Sequence, residues 1–180
     1  MRRREVVIAL LMLVAVQNVP VKLMAQANSA AEHKTGVLAA SEMESIVPSA
    51  VFFKGRSATV QIRNSGAVRF SNGSILFAAL VDTSGYSSSV RDKYQFYLVT
   101  EAPVEIAGKK LGVGAYGGGF LEGGGFVVMD ISGQDVLTGK TVRDDEMNRP
   151  RPLQIVAGSA PGEFRLELGR QYVSFKASGR

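Results

Sequence analysis

Apolar and polar residues alternate along much of the chain from Ala50 onward. In the run Thr59–Arg63 the apolar Val60 and Ile62 alternate with polar neighbours, and Glu163–Leu168 alternates in the same way. A period of two places successive side chains on opposite faces of an extended chain, which is typical of half-buried β-strands. These runs therefore predict strands with one face in a core.

Further short strands are predicted at Ala50–Lys54, Val68–Phe70, Ile75–Val81, Tyr94–Thr100, Val104–Ile106, Gly114–Phe120, Phe126–Ile131, Leu153–Ala157 and Gln171–Lys176. Dipeptides suited to tight turns separate them, namely Asn72-Gly73, Ala107-Gly108, Gly123-Gly124, Ser132-Gly133, Pro161-Gly162 and Gly169-Arg170. Parallel strands need a long crossover connection, and no such helical segment is present. The pattern predicts an all-β fold, a single antiparallel β-barrel or β-sandwich of about 8–11 short strands.

One short helix is predicted ahead of the first strand. Ser41 and Glu44 have the spacing of a capping box, and Pro48 ends the pattern, so the helix is expected over Ser41–Val47 or, extended backwards, from Val37. The strand Ile75–Val81 is apolar on both faces. We therefore expect it to be central in its sheet or covered by the N-terminal helical segment.

The first 27 residues have the order of a secretory signal peptide. Three arginines (Arg2, Arg3 and Arg4) precede the apolar run Val6–Val16, and Ala25-Gln26-Ala27 supplies small residues for cleavage. The apolar run has eleven residues, whereas a bilayer span needs about 20. We therefore predict cleavage after Ala27, export to the periplasm or the cell exterior, and no stable membrane span afterwards.

Composition changes once this leader is removed. Four of the 21 Lys and Arg and one of the 16 Asp and Glu lie in residues 1–27, which leaves a net charge of +2. The remaining basic residues are scattered among apolar ones, so no nucleic-acid partner is expected. The chain has no cysteine, which excludes a thiol nucleophile and a cysteine-ligated metal. About 150 residues suit one domain.

The mature chain divides into a flexible N-terminus at residues 28–40 and a single all-β domain at residues 41–180. Two longer polar connections, Asp82–Arg91 and Lys140–Pro152, are predicted to be surface loops. Because binding residues concentrate on loops, these two segments are candidate contact regions.

Two glycine patterns resemble nucleotide-binding motifs. Gly112–Gly117 matches G-x-G-x-x-G, but the glycines that follow disfavour the helix that a dinucleotide site requires. A strand with close packing at its glycines and a turn at 122–124 is the favoured interpretation. Gly133–Thr141 resembles a P-loop with one residue too many between its glycines and no helix after it, so a loop with a glycine turn is expected. No cofactor is predicted.

Asp82 is the one candidate catalytic residue. Asp82-Thr83-Ser84-Gly85 follows the apolar residues 79–81, as the Asp-Thr-Gly of aspartic peptidases follows a strand, but its glycine lies one residue late. A single copy would need a homodimer to supply the second carboxylate. The alternative is that the Asp82 carboxylate caps its own turn by accepting a backbone N–H two residues on.

Metal sites and catalytic triads have little support. The only histidine, His33, lies in the segment predicted to be flexible. Asp144-Asp145-Glu146 lacks the alternating spacing of a calcium loop, and Arg143 and Arg149 flank it, so a solvated charge cluster is expected. No metal is predicted.

Gly108-Lys109-Lys110-Leu111-Gly112-Val113-Gly114-Ala115-Tyr116 has the pattern Gly-Lys-x-Leu-x-x-Gly-x-Tyr. With the strands around it, the chain resembles uncharacterised secreted bacterial all-β proteins over roughly residues 51–176. The resemblance implies an exported all-β domain and carries no catalytic or binding residues. We therefore expect an exported, non-enzymatic domain that binds a small apolar ligand or a partner protein. The alternatives are a homodimeric aspartic-type hydrolase using Asp82 and a structural domain of the envelope surface.

Overall fold

The computed structural model describes residues 34–179, which form fourteen strands and two short helices. The strands are β1 Gly36–Val37, β2 Ala50–Phe53, β3 Arg56–Arg69, β4 Ile75–Val81, β5 Phe96–Thr100, β6 Val104–Ile106, β7 Lys109–Leu111, β8 Gly114–Leu121, β9 Gly125–Met129, β10 Asp135–Lys140, β11 Val142–Arg143, β12 Arg151–Ala157, β13 Glu163–Gly169 and β14 Gln171–Ala177. The helices are α1 Ala40–Ile46 and α2 Ser88–Arg91. The all-β prediction is confirmed.

The strands are arranged in two antiparallel sheets. The first sheet has the order β1-β3-β4-β5-β8-β9-β10, with β2 also paired to β3. The second sheet has the order β12-β13-β14-β6-β7, with β11 also paired to β14. Within residues 34–179 neither sheet closes on itself into a barrel.

A shared hydrophobic cluster lies between the two sheets. The first sheet contributes Leu76, Phe96, Phe126 and Val128, and the second contributes Val104, Ile106, Leu153, Leu166 and Phe175, among others. Along β13 and β14 these residues alternate with more polar ones, whereas β4 and β9 are apolar on both faces. Fully burying a side chain of this size contributes about 1.5–3 kcal/mol, so this cluster is a main source of stability.

The opposite face of the first sheet carries a second cluster. Phe77, Ala79 and Val81 of β4 lie there with Met43 of α1, whereas Leu76 of the same strand belongs to the cluster between the sheets. Strand β4 is also hydrogen-bonded between β3 and β5. The prediction that this strand is central in its sheet or covered by the N-terminal helical segment is confirmed in its first alternative, since β4 lies between β3 and β5.

The six predicted turns all connect neighbouring antiparallel strands. At Asn72-Gly73 the Gly73 N–H donates to Phe70 O at 2.9 Å, and the Asn72 Oδ1 accepts the Ser74 N–H at 3.1 Å. The φ of Gly73 is +85°, which favours glycine because residues that carry a Cβ are strained in the left-handed region. Turn chemistry thus placed the hairpins correctly.

Four strands and one short helix were not predicted, and helix α1 begins one residue before the predicted Ser41. Strands β1, β7, β10 and β11 are short or lack apolar alternation, so fourteen strands stand against the predicted 8–11. Helix α1 begins at Ala40, where the Glu42 Oε2 accepts the Ala39 N–H at 3.0 Å, so the helix is capped by Glu42 rather than by the Ser41 and Glu44 pair. Ser88–Arg91 forms α2 inside the loop predicted at Asp82–Arg91.

The N-terminal predictions fall mainly outside the described residues. The signal peptide at 1–27 and His33 lie there. Of the segment 28–40, Gly36 and Val37 pair with β3, and the Leu38 N–H donates to Ala67 O at 2.9 Å. Leu38 is buried in the second cluster, which gives this segment an apolar contact with the sheet. Among the described residues, no helix has the length and apolar character needed to cross a bilayer.

Candidate functional site

An open groove of about 630 Å³ lies between the β6–β7 hairpin and β10. It is lined by Ala107, Gly108, Lys109, Thr138, Gly139, Lys140, Val142, Val173 and Ser174. These residues come from the first sheet (β10), the second sheet (β7, β11 and β14) and the β6–β7 turn. The groove therefore lies where the edges of the two sheets meet.

The wall on the second sheet is a two-residue hairpin turn. Ile106 pairs with Lys109, so Ala107 and Gly108 alone connect β6 to β7. Both have positive φ, +50° and +74°, as a type I′ turn requires. This turn fixes Lys109 as the first residue of β7 at the rim of the groove.

The opposite wall approaches this turn at a glycine. A Cβ added to Gly139 would lie 2.7 Å from the Ala107 Cβ, closer than real Cβ atoms come. Strand β10 can thus touch the hairpin only because residue 139 has no side chain. Lys140 follows directly, so this contact sets the distance between the two lysine-bearing segments of the groove.

Strand β14 forms the base of the groove, where its pairing partner changes. Val142 and Arg143 of β11 pair with Tyr172 and Gln171, and further along β6 pairs with Phe175–Ala177. In the gap between them, the Ala107 N–H donates to Ser174 O at 3.0 Å. The base is apolar at the buried Val173 and at Val142, which is 50% exposed.

The two charged residues of the groove are both lysines. Within residues 34–179, neither Lys109 nor Lys140 forms an ion pair with a carboxylate. Thr138 and Ser174 add hydroxyl groups, which donate or accept hydrogen bonds. The groove thus combines two unpaired positive charges, hydroxyls and apolar surface, which suits an occupant with carboxylate groups and apolar side chains.

Asp82 lies at the end of β4 and caps its own turn. Its Oδ1 accepts the Ser84 N–H at 2.9 Å. Hydrogen bonds from the backbone and side chain of Ser84 lower the pKa of the exposed Asp82 carboxyl. This is the turn geometry that the sequence predicted as the alternative to catalysis. The hydrolase hypothesis additionally needs Asp82 of a second chain, and it stays a prediction.

The two glycine patterns begin in connections and continue into strands β8 and β10. Gly117, Gly118 and Gly119 are in β8, where an added Cβ would come 2.5 Å from the Phe53 ring, 2.6 Å from the Phe96 ring and 2.4 Å from Lys93 O respectively. The prediction of a strand with close packing at its glycines and a turn after it is confirmed. In the P-loop-like segment, residues 135–140 form β10, so the prediction of a loop there is wrong.

The loop predicted at Lys140–Pro152 is fastened to the second sheet. The Arg170 Nη1 donates to Met147 O at 2.7 Å and to Asp145 O at 3.0 Å. The Arg143 Nε donates to the Asp145 Oδ1 at 2.6 Å in an exposed ion pair. In the described part of the chain, no three His, Asp or Glu side chains come close enough to hold a metal ion.

Sequence reasoning missed the groove residues. Lys109 and Lys140 lie 31 positions apart in the printed sequence, and only the approach of Gly139 to Ala107 brings their segments together. The resemblance singled out the Gly-Lys turn without giving it a role, and no pattern pointed to Thr138 or Ser174.

The fold and the groove define a class: a domain of two antiparallel sheets with a basic, partly apolar groove at their edges. No protein family, no curated protein and no solved structure matches this chain.

Proposed function

We propose that this chain is an exported, non-enzymatic β-sandwich domain that binds a partner protein by taking an acidic, partly apolar segment into the groove between β10 and the β6–β7 hairpin. The observation that carries the proposal is the pair of lysines, Lys109 and Lys140, which have no carboxylate partners among the described residues and lie on the walls of this groove. Export is supported by the signal-peptide pattern of residues 1–27.

A partner segment fits the geometry better than a ligand enclosed inside the fold. Large side chains from both sheets, including Phe96, Phe126 and Phe175, pack in the space where a barrel would hold its ligand. The groove, in contrast, is open to solvent, whereas a small-molecule pocket buries most of its ligand. An open site offers room for a chain that continues beyond it on both sides.

The positive charge of the groove favours a partner segment that carries carboxylate groups. Lysine ammonium groups attract carboxylates, and complementary charge contributes more to specificity and association rate than to affinity. Val142 and Val173 offer apolar contact between the two lysine-bearing walls. We therefore expect a segment in which Asp or Glu alternates with apolar residues.

The test is an NMR titration of the ¹⁵N-labelled mature protein with an alternating Glu-Val peptide of about eight residues, a length within the range of roughly 3–10 residues usual for strands. We expect amide shifts confined to residues 107–109, 138–142 and 173–174, and weaker binding as salt is added. A Lys-Val peptide of the same length should cause no shifts there.

A variant pair isolates the lysines. Lys109→Gln combined with Lys140→Gln should lower the affinity for the Glu-Val peptide about tenfold or more. Lys34→Gln combined with Lys54→Gln removes the same charge elsewhere and should leave the affinity unchanged. Equal binding by both double variants would overturn the proposal, and so would shifts produced by a fluorescent fatty acid but by no peptide, which would indicate a small-ligand site instead.

A further inference from the structure

The outer face of the second sheet carries a row of four alternating charges. Glu163 of β13 lies opposite Lys176 of β14, Lys176 lies opposite Glu105 of β6, and Glu105 lies opposite Lys110 of β7. Directly opposed residues of antiparallel strands share one face of the sheet. The row therefore reads acidic, basic, acidic, basic across four adjacent strands, a width of about 14 Å.

The neighbouring residues show which way this row points. Each of the four charged residues precedes or follows a buried apolar one, namely Phe164, Phe175, Ile106 and Leu111. Those apolar residues belong to the cluster between the sheets. Because successive side chains alternate in direction, the charged row points away from the core and toward solvent.

The charges of the row are only partly satisfied within the chain. The Lys176 Nζ lies 3.6 Å from the Glu105 Oε1, and these side chains remain 55% and 39% exposed. Within residues 34–179, Glu163 and Lys110 at the two ends of the row form no ion pair. An exposed pair of this kind contributes little to folding stability. The row is thus available to meet complementary charges.

We propose that this row is a self-association surface whose occupant is a second copy of the same chain. A two-fold axis that runs along the strands turns the second copy to face the first and reverses the order of its row. Reversal of an acidic-basic-acidic-basic row places every charge against its opposite: Glu163 meets Lys110 of the second copy, and Lys176 meets Glu105. An isologous dimer requires this kind of self-complementary patch.

The surface beside the row has room for the facing side chains. A depression of about 420 Å³ is lined by Glu105, Glu163 and Lys176 of the row together with Ala160 and Pro161 of the β12–β13 turn. Lys110 of the second copy, reaching toward Glu163, would enter it, and its aliphatic stem would contact the apolar turn. This arrangement uses the second sheet, whereas Asp82 follows β4 of the first, so it differs from the dimer that the hydrolase hypothesis requires.

Charge-reversal variants test the proposal by sedimentation equilibrium of the mature protein at low ionic strength. We expect a wild-type dimer that weakens as salt is added. Glu105→Lys places two lysines face to face across the axis, and Lys176→Glu places two glutamates there. Each single variant should lower the association constant at least about tenfold, because like charges in an interface are strongly unfavourable.

An equimolar mixture of the two single variants gives the decisive result. In the mixed dimer, the lysine introduced by Glu105→Lys faces the glutamate introduced by Lys176→Glu, and the unchanged Lys176 of the first variant faces the unchanged Glu105 of the second. Association should therefore recover. Repulsion inside each chain is unchanged by mixing, and circular dichroism checks that each variant is folded. Lys34→Glu and Glu122→Lys make the same charge changes off this face and should associate as the wild type does.

A monomeric wild type at low salt, or single variants that associate as strongly as the mixture, would overturn the proposal. Gly108 and Ser174 line both the groove and this depression, but Lys109 and Lys140 are unchanged in all these variants, so the peptide titration tests the groove separately.

Discussion

The ring of Tyr94 lies flat on the ring of Phe53, with ring centroids 3.9 Å apart and an interplanar angle of 18°. Tyr86 meets Tyr94 edge-on at 5.3 Å. The two tyrosines differ in the hydrogen bonding of their hydroxyl groups. The Tyr86 hydroxyl lies 3.0 Å from Phe53 O and 3.1 Å from Arg56 O and donates to them, whereas the buried Tyr94 hydroxyl has no hydrogen-bond partner among residues 34–179.

Removal of these two hydroxyls should have opposite effects. Tyr94→Phe deletes a buried polar group that lacks a hydrogen bond, and we expect the free energy of unfolding to rise by about 1 kcal/mol. Tyr86→Phe deletes a donor and leaves backbone carbonyls without it, so stability should fall by about 1 kcal/mol. Urea unfolding of both variants measures the difference. A loss of stability in Tyr94→Phe would mean that its hydroxyl has a partner in solution.

The same tyrosine should make the protein sensitive to alkali. Burial, followed by the nearby Tyr86 and Tyr97, raises the pKa of Tyr94 above its ordinary value of 10.0. The unfolded chain releases this proton at lower pH than the folded one, so its ionisation leaves the free energy of unfolding unchanged below about pH 10 and lowers it as the pH rises further. In Tyr94→Phe the decline should be shallower. Unfolding midpoints measured between about pH 8 and 11 test this expectation.

Two exposed turns should govern part of the acid sensitivity. The Asp130 Oδ1 accepts hydrogen bonds from the Ser132 Oγ at 2.6 Å and from the Gln134 N–H at 3.0 Å. The Ser132 side chain, followed by the Gln134 backbone, lowers the Asp130 pKa below 3.8, and Ser84 lowers that of Asp82. Their stabilising contribution is present above pH 3.8 and is lost as the pH falls through the lowered values.

Asn substitutions at these turns should flatten the acid limb of the stability profile. An amide oxygen accepts the same hydrogen bonds without titrating, so Asp130→Asn and Asp82→Asn should fold at neutral pH and lose less stability below about pH 4. Urea midpoints at several pH values measure this. If Asp82→Asn also abolished an acid-dependent cleavage of unfolded protein, the turn-capping account of Asp82 would be incomplete.

The contact between Gly139 and Ala107 should behave as a coupled pair. Gly139→Ala forces the two segments of the groove apart, and we expect a loss of about 1–3 kcal/mol, as for other overpacked sites. Ala107→Gly removes the opposing Cβ and suits the positive φ at that position. In the Ala107→Gly background, Gly139→Ala should therefore cost less. Additive effects in this double-mutant cycle would show that the two segments do not touch.

Local patterns were sufficient for much of the fold. The limits of β4 and β6 agree with the predicted strands, because β4 is an apolar run and β6 alternates around Glu105, and each is bounded by polar or turn residues. The glycines of β8 make a helix unfavourable, so the sequence predicts a strand with close packing at these positions. The turn at Asp82 is also predictable from local sequence, since the carboxylate accepts a hydrogen bond from the N–H only two residues further along the chain.

The groove could not be predicted because it depends on contacts between distant segments. Strand β10 shows no regular alternation, since Val136 is exposed, Leu137 is buried and Gly139 has no side chain. Its assignment to the edge of the first sheet follows only from pairing with β9. The charged row likewise appears only once β13, β14, β6 and β7 are aligned in register, and a shift of one residue would turn its side chains inward.

The order in which the strands are synthesised limits when this domain can be completed. After β5 the chain leaves the first sheet and forms β6 of the second sheet. On the side away from β7, β6 pairs with β14, the last of the described strands, where Val104 lies opposite Ala177. Until the C-terminal segment has emerged, the β6–β7 hairpin has no sheet to join. Such distant pairings slow folding. A nascent or truncated chain that lacks β14 would thus expose the apolar side of this hairpin and become a substrate for chaperones and proteases.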